Sequence, residues 1–235
     1  MARITRKELK KDVFAQEVGH TVEYVGEHRK QFIRYGSAAL VIVLLAGGFY
    51  YYNKRQRAAR EGALAAAMEI QRAPVGPAAG QETVKSYPTQ QEKSKAELKA
   101  FTEVAAHYAG TDEGIIATYF LGTIAVDDGR LDEAAKLFKE VGDSKNENYA
   151  SLAKFSLAHV YQSQGKAAEG EKLLRALMEK PTIFVSKPQA TIALARMLAP
   201  TKPDEARKLL EPLRLEAGPA ARAAFSILNA LPKKG

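Results

Sequence analysis

Residues 131–141 read LDEAAKLFKEV, and residues 203–213 read PDEARKLLEPL. The matching alanines, Ala134 and Ala206, lie 72 positions apart, and between them 167–177 reads AAEGEKLLRAL with Gly170 midway. A looser copy, AELKAFTEVA, stands at 96–105 with slightly different spacing. Apolar residues fall at helical spacing in this half of the chain, and strand signals are scarce. Each copy follows another helical stretch. FLGTIAVDDGRLDEA (120–134) and SLAHVYQSQGKAAEG (156–170) share a small residue, an aromatic or apolar residue and a turn glycine. A helical hairpin therefore repeats about every 36 residues. A unit of that size cannot bury its apolar face alone and stacks on its neighbours.

This pattern resembles the tetratricopeptide repeat, whose period is about 34 residues. In the first clear copy Leu121-Gly122 matches the family's L-G pair, Gly129 its turn glycine, Ala134 the small residue of the second helix and Phe138 its aromatic. In the second, Leu157-Ala158, Tyr161, Gly165, Gly170 and Leu174 take those places. Small residues at 122, 134, 158, 170 and 206 let paired helices approach, and Leu and Phe fill the space between pairs. The third copy departs, with Pro200 and Pro203 in its turn, Pro212 in its second helix and one residue fewer. The chain has no tryptophan. The expected fold is all-α: a tetratricopeptide-repeat-like solenoid over 95–235, closed by a capping helix at 220–231. It comprises roughly four helical hairpins, the first built partly by an Ala-rich helix at 54–72.

Upstream, residues 35–53 read YGSAALVIVLLAGGFYYYN without a charge. Nineteen residues at 1.5 Å each span about 28 Å, close to a hydrocarbon core. Leu40 to Leu45 and Phe49 together favour insertion by about 2–4 kcal/mol. Phe49 to Tyr52 suit the headgroup level, and Lys54, Arg55 and Arg57 close that end. The 34 residues ahead of the run are long for a signal peptide, which favours an uncleaved anchor. The preceding tail, 1–34, carries eight Lys/Arg against five acids. That bias favours the tail in the cytoplasm and the domain outside it. Leu9, Val13, Val18, Val22, Val25 and Phe32 recur at helical spacing, so the tail reads either as an amphipathic helix or as a loosely ordered topogenic segment; Gly19 and Gly26 weaken the helix. Residues 54–94 read as the Ala-rich helix, ended by Ala73-Pro74-Val75-Gly76-Pro77, and then a polar loop over 78–94.

The net charge is +8, spread along the chain, which suits an anionic lipid surface. No nucleic-acid-binding motif accompanies it, so no nucleic-acid partner is expected. With no cysteine, disulfides and thiolate chemistry are excluded. His20, His28, His107 and His159 form no H-x-x-x-H or H-E-x-x-H pattern, and no phosphate-binding loop or nucleophile elbow is present. No cofactor or metal is expected, and an enzyme is disfavoured. A helical solenoid instead presents a concave face made by the first helix of each pair, suited to extended peptides or partner helices. On that face the candidate partner-binding residues are Tyr119, Thr123, Phe155, His159 and Gln162, with inter-repeat packing as the other reading of Tyr119 and Phe155.

The order of a short tail, a span ending GGFYYYN, an Ala-rich AREGALAAAMEI helix and degenerate repeats resembles the YfgM-like ancillary subunits of the Sec translocon. That resemblance implies a bacterial inner-membrane protein with its domain in the periplasm. Its partners would be the SecYEG channel, a membrane-anchored periplasmic chaperone and extended client polypeptides. The tail here is more basic than that family's usual acidic one. A tethered scaffold for another cell-envelope assembly is the alternative reading.

Overall fold

A computed structural model describes residues 29–76, 86–216 and 218–232. The chain divides into two compact units, Met1–Ala58 and Ala59–Gly235. Among the described residues the secondary structure is helical apart from one isolated bridge, Val75 to Tyr87. The tail's candidate helix, residues 1–28, lies outside the described residues, as do 77–85.

The first unit contributes the start of α1 (Arg29–Arg72). Every large apolar side chain from Leu40 to Leu45 and from Phe49 to Tyr52 is exposed, at 53–69% of full accessibility. The most apolar stretch of this helix has a mean hydropathy of 1.5, and none of it is covered by protein. A helix apolar on all sides is suited to lipid rather than to water, so α1 is a candidate membrane span.

The second unit begins within α1 at residue 59. It continues through α2 (Gln90–His107), α3 (Asp112–Asp127), α4 (Leu131–Gly142), α5 (Glu147–Ser163), α6 (Ala167–Glu179), α7 (Lys187–Leu198), α8 (Pro203–Arg214) and α9 (Pro219–Ala230). From α2 onward successive helices pack pairwise, as a repeat array requires. The last turns of α1 join the stack through one apolar cluster, in which Leu64 and Ala67 gather with Phe101 and Val104 of α2 and Ala117 of α3. Helix α2 starts at Gln90, inside the stretch 78–94 read from sequence as a loop. The reason is local: Thr89 caps it, its hydroxyl accepting from the Glu92 N–H at 3.2 Å, and Glu92 adds an acid to the first turn.

The three later hairpins are α3–α4, α5–α6 and α7–α8. The first two turn alike. Gly129 and Gly165 have φ of +74° and +76°, a backbone that side chains resist. In each the following N–H (Arg130, Lys166) donates to a carbonyl five residues back, at 2.8 Å. The third hairpin turns without a glycine. Its four-residue link, 199–202, is held by the Lys202 N–H donating to the Leu198 carbonyl at 2.7 Å, and Pro203 opens α8, where its fixed φ suits a first helical turn.

The period of 36 also runs through the core. Phe138, Leu174 and Leu210 are fully buried at equivalent positions of α4, α6 and α8, as are Ala134 and Ala206. At Gly122 an added Cβ would stand 2.6 Å from the Phe138 ring, so the small residue lets α3 lie on α4. Polar bonds between hairpins add register: Asn146 Nδ2 donates to Asp112 Oδ1 at 2.8 Å, and Gln164 Nε2 donates to Asp132 Oδ1 at 2.9 Å. Helix α9 covers the end of the stack with Ala224 and Leu228.

Candidate functional site

Helices α3 and α5 are first helices of adjacent hairpins, and a groove of about 280 Å³ opens between them. Leu131 and Phe138 of α4 contribute to it from below. Val126 and Val160 give further apolar surface, and Thr123, Asp127, Ser156 and Ser163 bring polar groups. Phe155 and His159, one turn apart on α5, complete the lining. Their rings meet edge to face with centroids 5.0 Å apart.

Three of the five sequence candidates, Thr123, Phe155 and His159, therefore share one groove. Thr123 donates its hydroxyl to the Phe120 carbonyl at 2.7 Å, which leaves its methyl and an oxygen lone pair for the groove. Tyr119 plays a packing part. Its ring lies 5.5 Å from Phe138, 5.7 Å from Phe120 and 5.7 Å from Tyr149, and its hydroxyl lies 3.3 Å from Ser156 Oγ. Gln162 is exposed and is not part of the groove lining.

His159 is exposed to solvent, with its ring against Phe155. Partial desolvation pushes its imidazole below the usual histidine range, and the nearby Arg196 charge pushes the same way. The ring is therefore neutral near pH 7 and extends the apolar surface of Phe155. Arg196 on α7 is exposed and stands 37 residues after His159. It was not legible from sequence because the third hairpin's first helix is shifted by one residue against the period of 36. Val126, Ser156, Val160 and Ser163 were missed for a simpler reason: they carry no distinctive residue type, and only the stacking of α3 on α5 brings them together.

The groove combines a small apolar hollow with scattered hydroxyls and one neutral imidazole. No nucleophile–base pair forms in it, and no group of three or more metal-ligating side chains gathers among the described residues. Such a lining can hold an apolar side chain of a partner and offer hydrogen bonds to the chain on either side of it.

The chain belongs to the tetratricopeptide repeat-like domain family, whose sequence pattern matches residues 30–187. Two crystal structures of a Podosopora anserina putative kinesin light chain with nearly identical TPR-like repeats, one of them a single-substitution variant, have the same fold. Each is 19% identical over 60% of this chain and 78% of its own, with a TM-score of 0.50. No curated protein matches the chain significantly. The family and the fold are those of protein–protein interaction adaptors, and no enzymatic family is indicated.

Proposed function

We propose that this protein is a single-pass bacterial inner-membrane adaptor of the Sec translocon. Its tail is cytoplasmic and its repeats are periplasmic, where they receive newly translocated chains beside SecYEG and a membrane-anchored chaperone. The observation that carries the reading is the pairing of an uncovered apolar helix with an interaction repeat whose first-helix face holds an apolar groove. The succession of GGFYYYN, the Ala-rich helix and degenerate repeats supports the translocon assignment over another envelope scaffold. Purification of the full chain in mild detergent tests it. Recovery of SecY with the chain is expected, and its absence, with some other envelope complex in its place, would transfer the protein to the scaffold reading.

The groove is the proposed client site, and Thr123, Phe155 and His159 are its proposed contacts. Phe155→Ala combined with His159→Ala removes the two rings that meet there. Photo-crosslinking of a translocating chain to the groove is expected to fall at least about tenfold, the loss of roughly 1.4 kcal/mol or more. Helicity should persist, because both side chains sit at the groove. Unchanged crosslinking would move the client site elsewhere.

Acid should weaken both the groove and the fold. His159 has a folded pKa below its unfolded value of about 6.5, so the unfolded chain binds the proton first. The stability from a neutral His159 is complete above about pH 6.5 and is lost as the pH falls through the folded value. Urea midpoints measured down this range should decline for the natural chain, and His159→Phe should remove part of that decline.

A further inference from the structure

We propose that the loop between α6 and α7 is a second membrane contact: Ile183 and Phe184 enter the interfacial layer of an anionic bilayer while Lys180 and Lys187 meet its headgroup charge. This rests on reading residues 35–53 as a bilayer span.

The loop is held rigidly. The Thr182 N–H donates to the Val185 carbonyl at 2.9 Å, and the Val185 N–H returns to Thr182 Oγ1 at 3.2 Å. Thr182 Oγ1 lies 2.6 Å from Ser151 Oγ of α5, and Val185 is fully buried in the core. A capping box of Ser186 and Gln189 opens α7 directly afterwards.

Between these fixed points stand the two residues of the tip. Turn tips in water favour Gly, Asn, Asp, Ser or Pro. Here the tip is Ile183, 88% exposed, and Phe184, 40% exposed with its ring edge on Tyr149 at a centroid distance of 5.2 Å. Folding leaves Ile183 uncovered and Phe184 only partly covered, and the hydrogen bonds of Thr182 and Val185 fix the turn that presents them.

Charge selects the occupant. Lys180 and Lys187 flank the tip, both are exposed, and neither pairs with a carboxylate among the described residues. Glu179 is the acid of this segment, which stays net positive. A convex two-residue tip is far too small for a stable protein interface, which buries more than about 1,000 Å². Two apolar side chains with basic neighbours do suit an anionic interface, where each Lys adds about a fivefold preference. Alone the tip would bind weakly, but a chain already tethered to the bilayer needs only a weak second contact.

The test uses the full chain reconstituted in vesicles. The chain lacks cysteine, so Pro181→Cys carries one environment-sensitive fluorophore beside the tip, and Ser226→Cys on α9 serves as the control site. Doxyl-labelled lipid should quench the loop probe at least about twofold more than the control in vesicles with phosphatidylglycerol. Replacing both Ile183 and Phe184 with Ser should abolish the difference, and Lys180→Gln with Lys187→Gln should reduce it to the level in uncharged vesicles. Equal quenching at both sites, or quenching indifferent to the serine pair, overturns the proposal. So does a probe response that requires added translocon protein and persists in uncharged lipid, which assigns the tip to a protein. Co-flotation of the chain with the vesicles is read in the same samples. Flotation without loop quenching refutes the docking alone; failure to float refutes the span reading and the docking with it.

Discussion

Phe138→Ala is expected to destabilise the repeat unit by about 3–5 kcal/mol. Phe138 is 1% exposed and is the aromatic of the first hairpin's second helix. One side of its ring faces Gly122, where no side chain separates α3 from α4. Another lies against Tyr119, which also meets Tyr149 of the next hairpin. Truncation therefore removes contacts within one hairpin and between two. The cavity also lies beneath the candidate groove, whose lining includes Phe138. Domains of this size are stable by only about 5–15 kcal/mol, so the loss is a large fraction of the total. Urea unfolding followed by circular dichroism measures it. A change below about 1 kcal/mol would mean that α3 and α4 close without this ring.

Gly170→Ala is the second large effect, and its sign makes it informative. Glycine within a helix normally costs about 1 kcal/mol against alanine, so the substitution would stabilise an open position. At Gly170 the added Cβ would stand 2.8 Å from the Ala158 carbonyl oxygen and 2.9 Å from Met197 Cε. Met197 can swing away, whereas the Ala158 oxygen is backbone within α5. Helices α5 and α6 must separate, at a cost of about 1–3 kcal/mol. Gly62→Ala on α1 provides the contrast, because its added Cβ meets nothing within 4 Å. Thermal unfolding should show Gly170→Ala lower and Gly62→Ala equal or higher. If both rose, close approach of α5 and α6 would not be what glycine secures at 170.

These two positions show what could be read from the chain directly. The interval from Ala134 to Gly170 to Ala206 marks where helices touch, and the structure places Phe138, Leu174 and Leu210 at that same interval in the core. Such positions are legible because close packing admits few residue types. The uncharged run at 35–53 is legible because few other settings tolerate it. The start of α2 at Gln90 was hidden by its polar first turn, which depends on the Thr89 cap rather than on an apolar stripe. Tyr119 shows the limit of reasoning from face alone: the same side of α3 serves both the groove and the next hairpin, and aromatic neighbours decide between them. The exposed tip at 183–184 lies in a link between hairpins, outside the helical positions that recur every 36 residues, so periodicity passed over it.

The adaptor reading depends first on which side of the membrane the repeats occupy. Ser226 is exposed on α9, and the absence of any native cysteine makes Ser226→Cys a single chemical address. A membrane-impermeant maleimide applied to intact spheroplasts is expected to label it fully, which places the repeats outside the cytoplasm where translocated chains emerge. Protection in intact spheroplasts, with labelling only after lysis, would put the repeats in the cytoplasm and contradict the account.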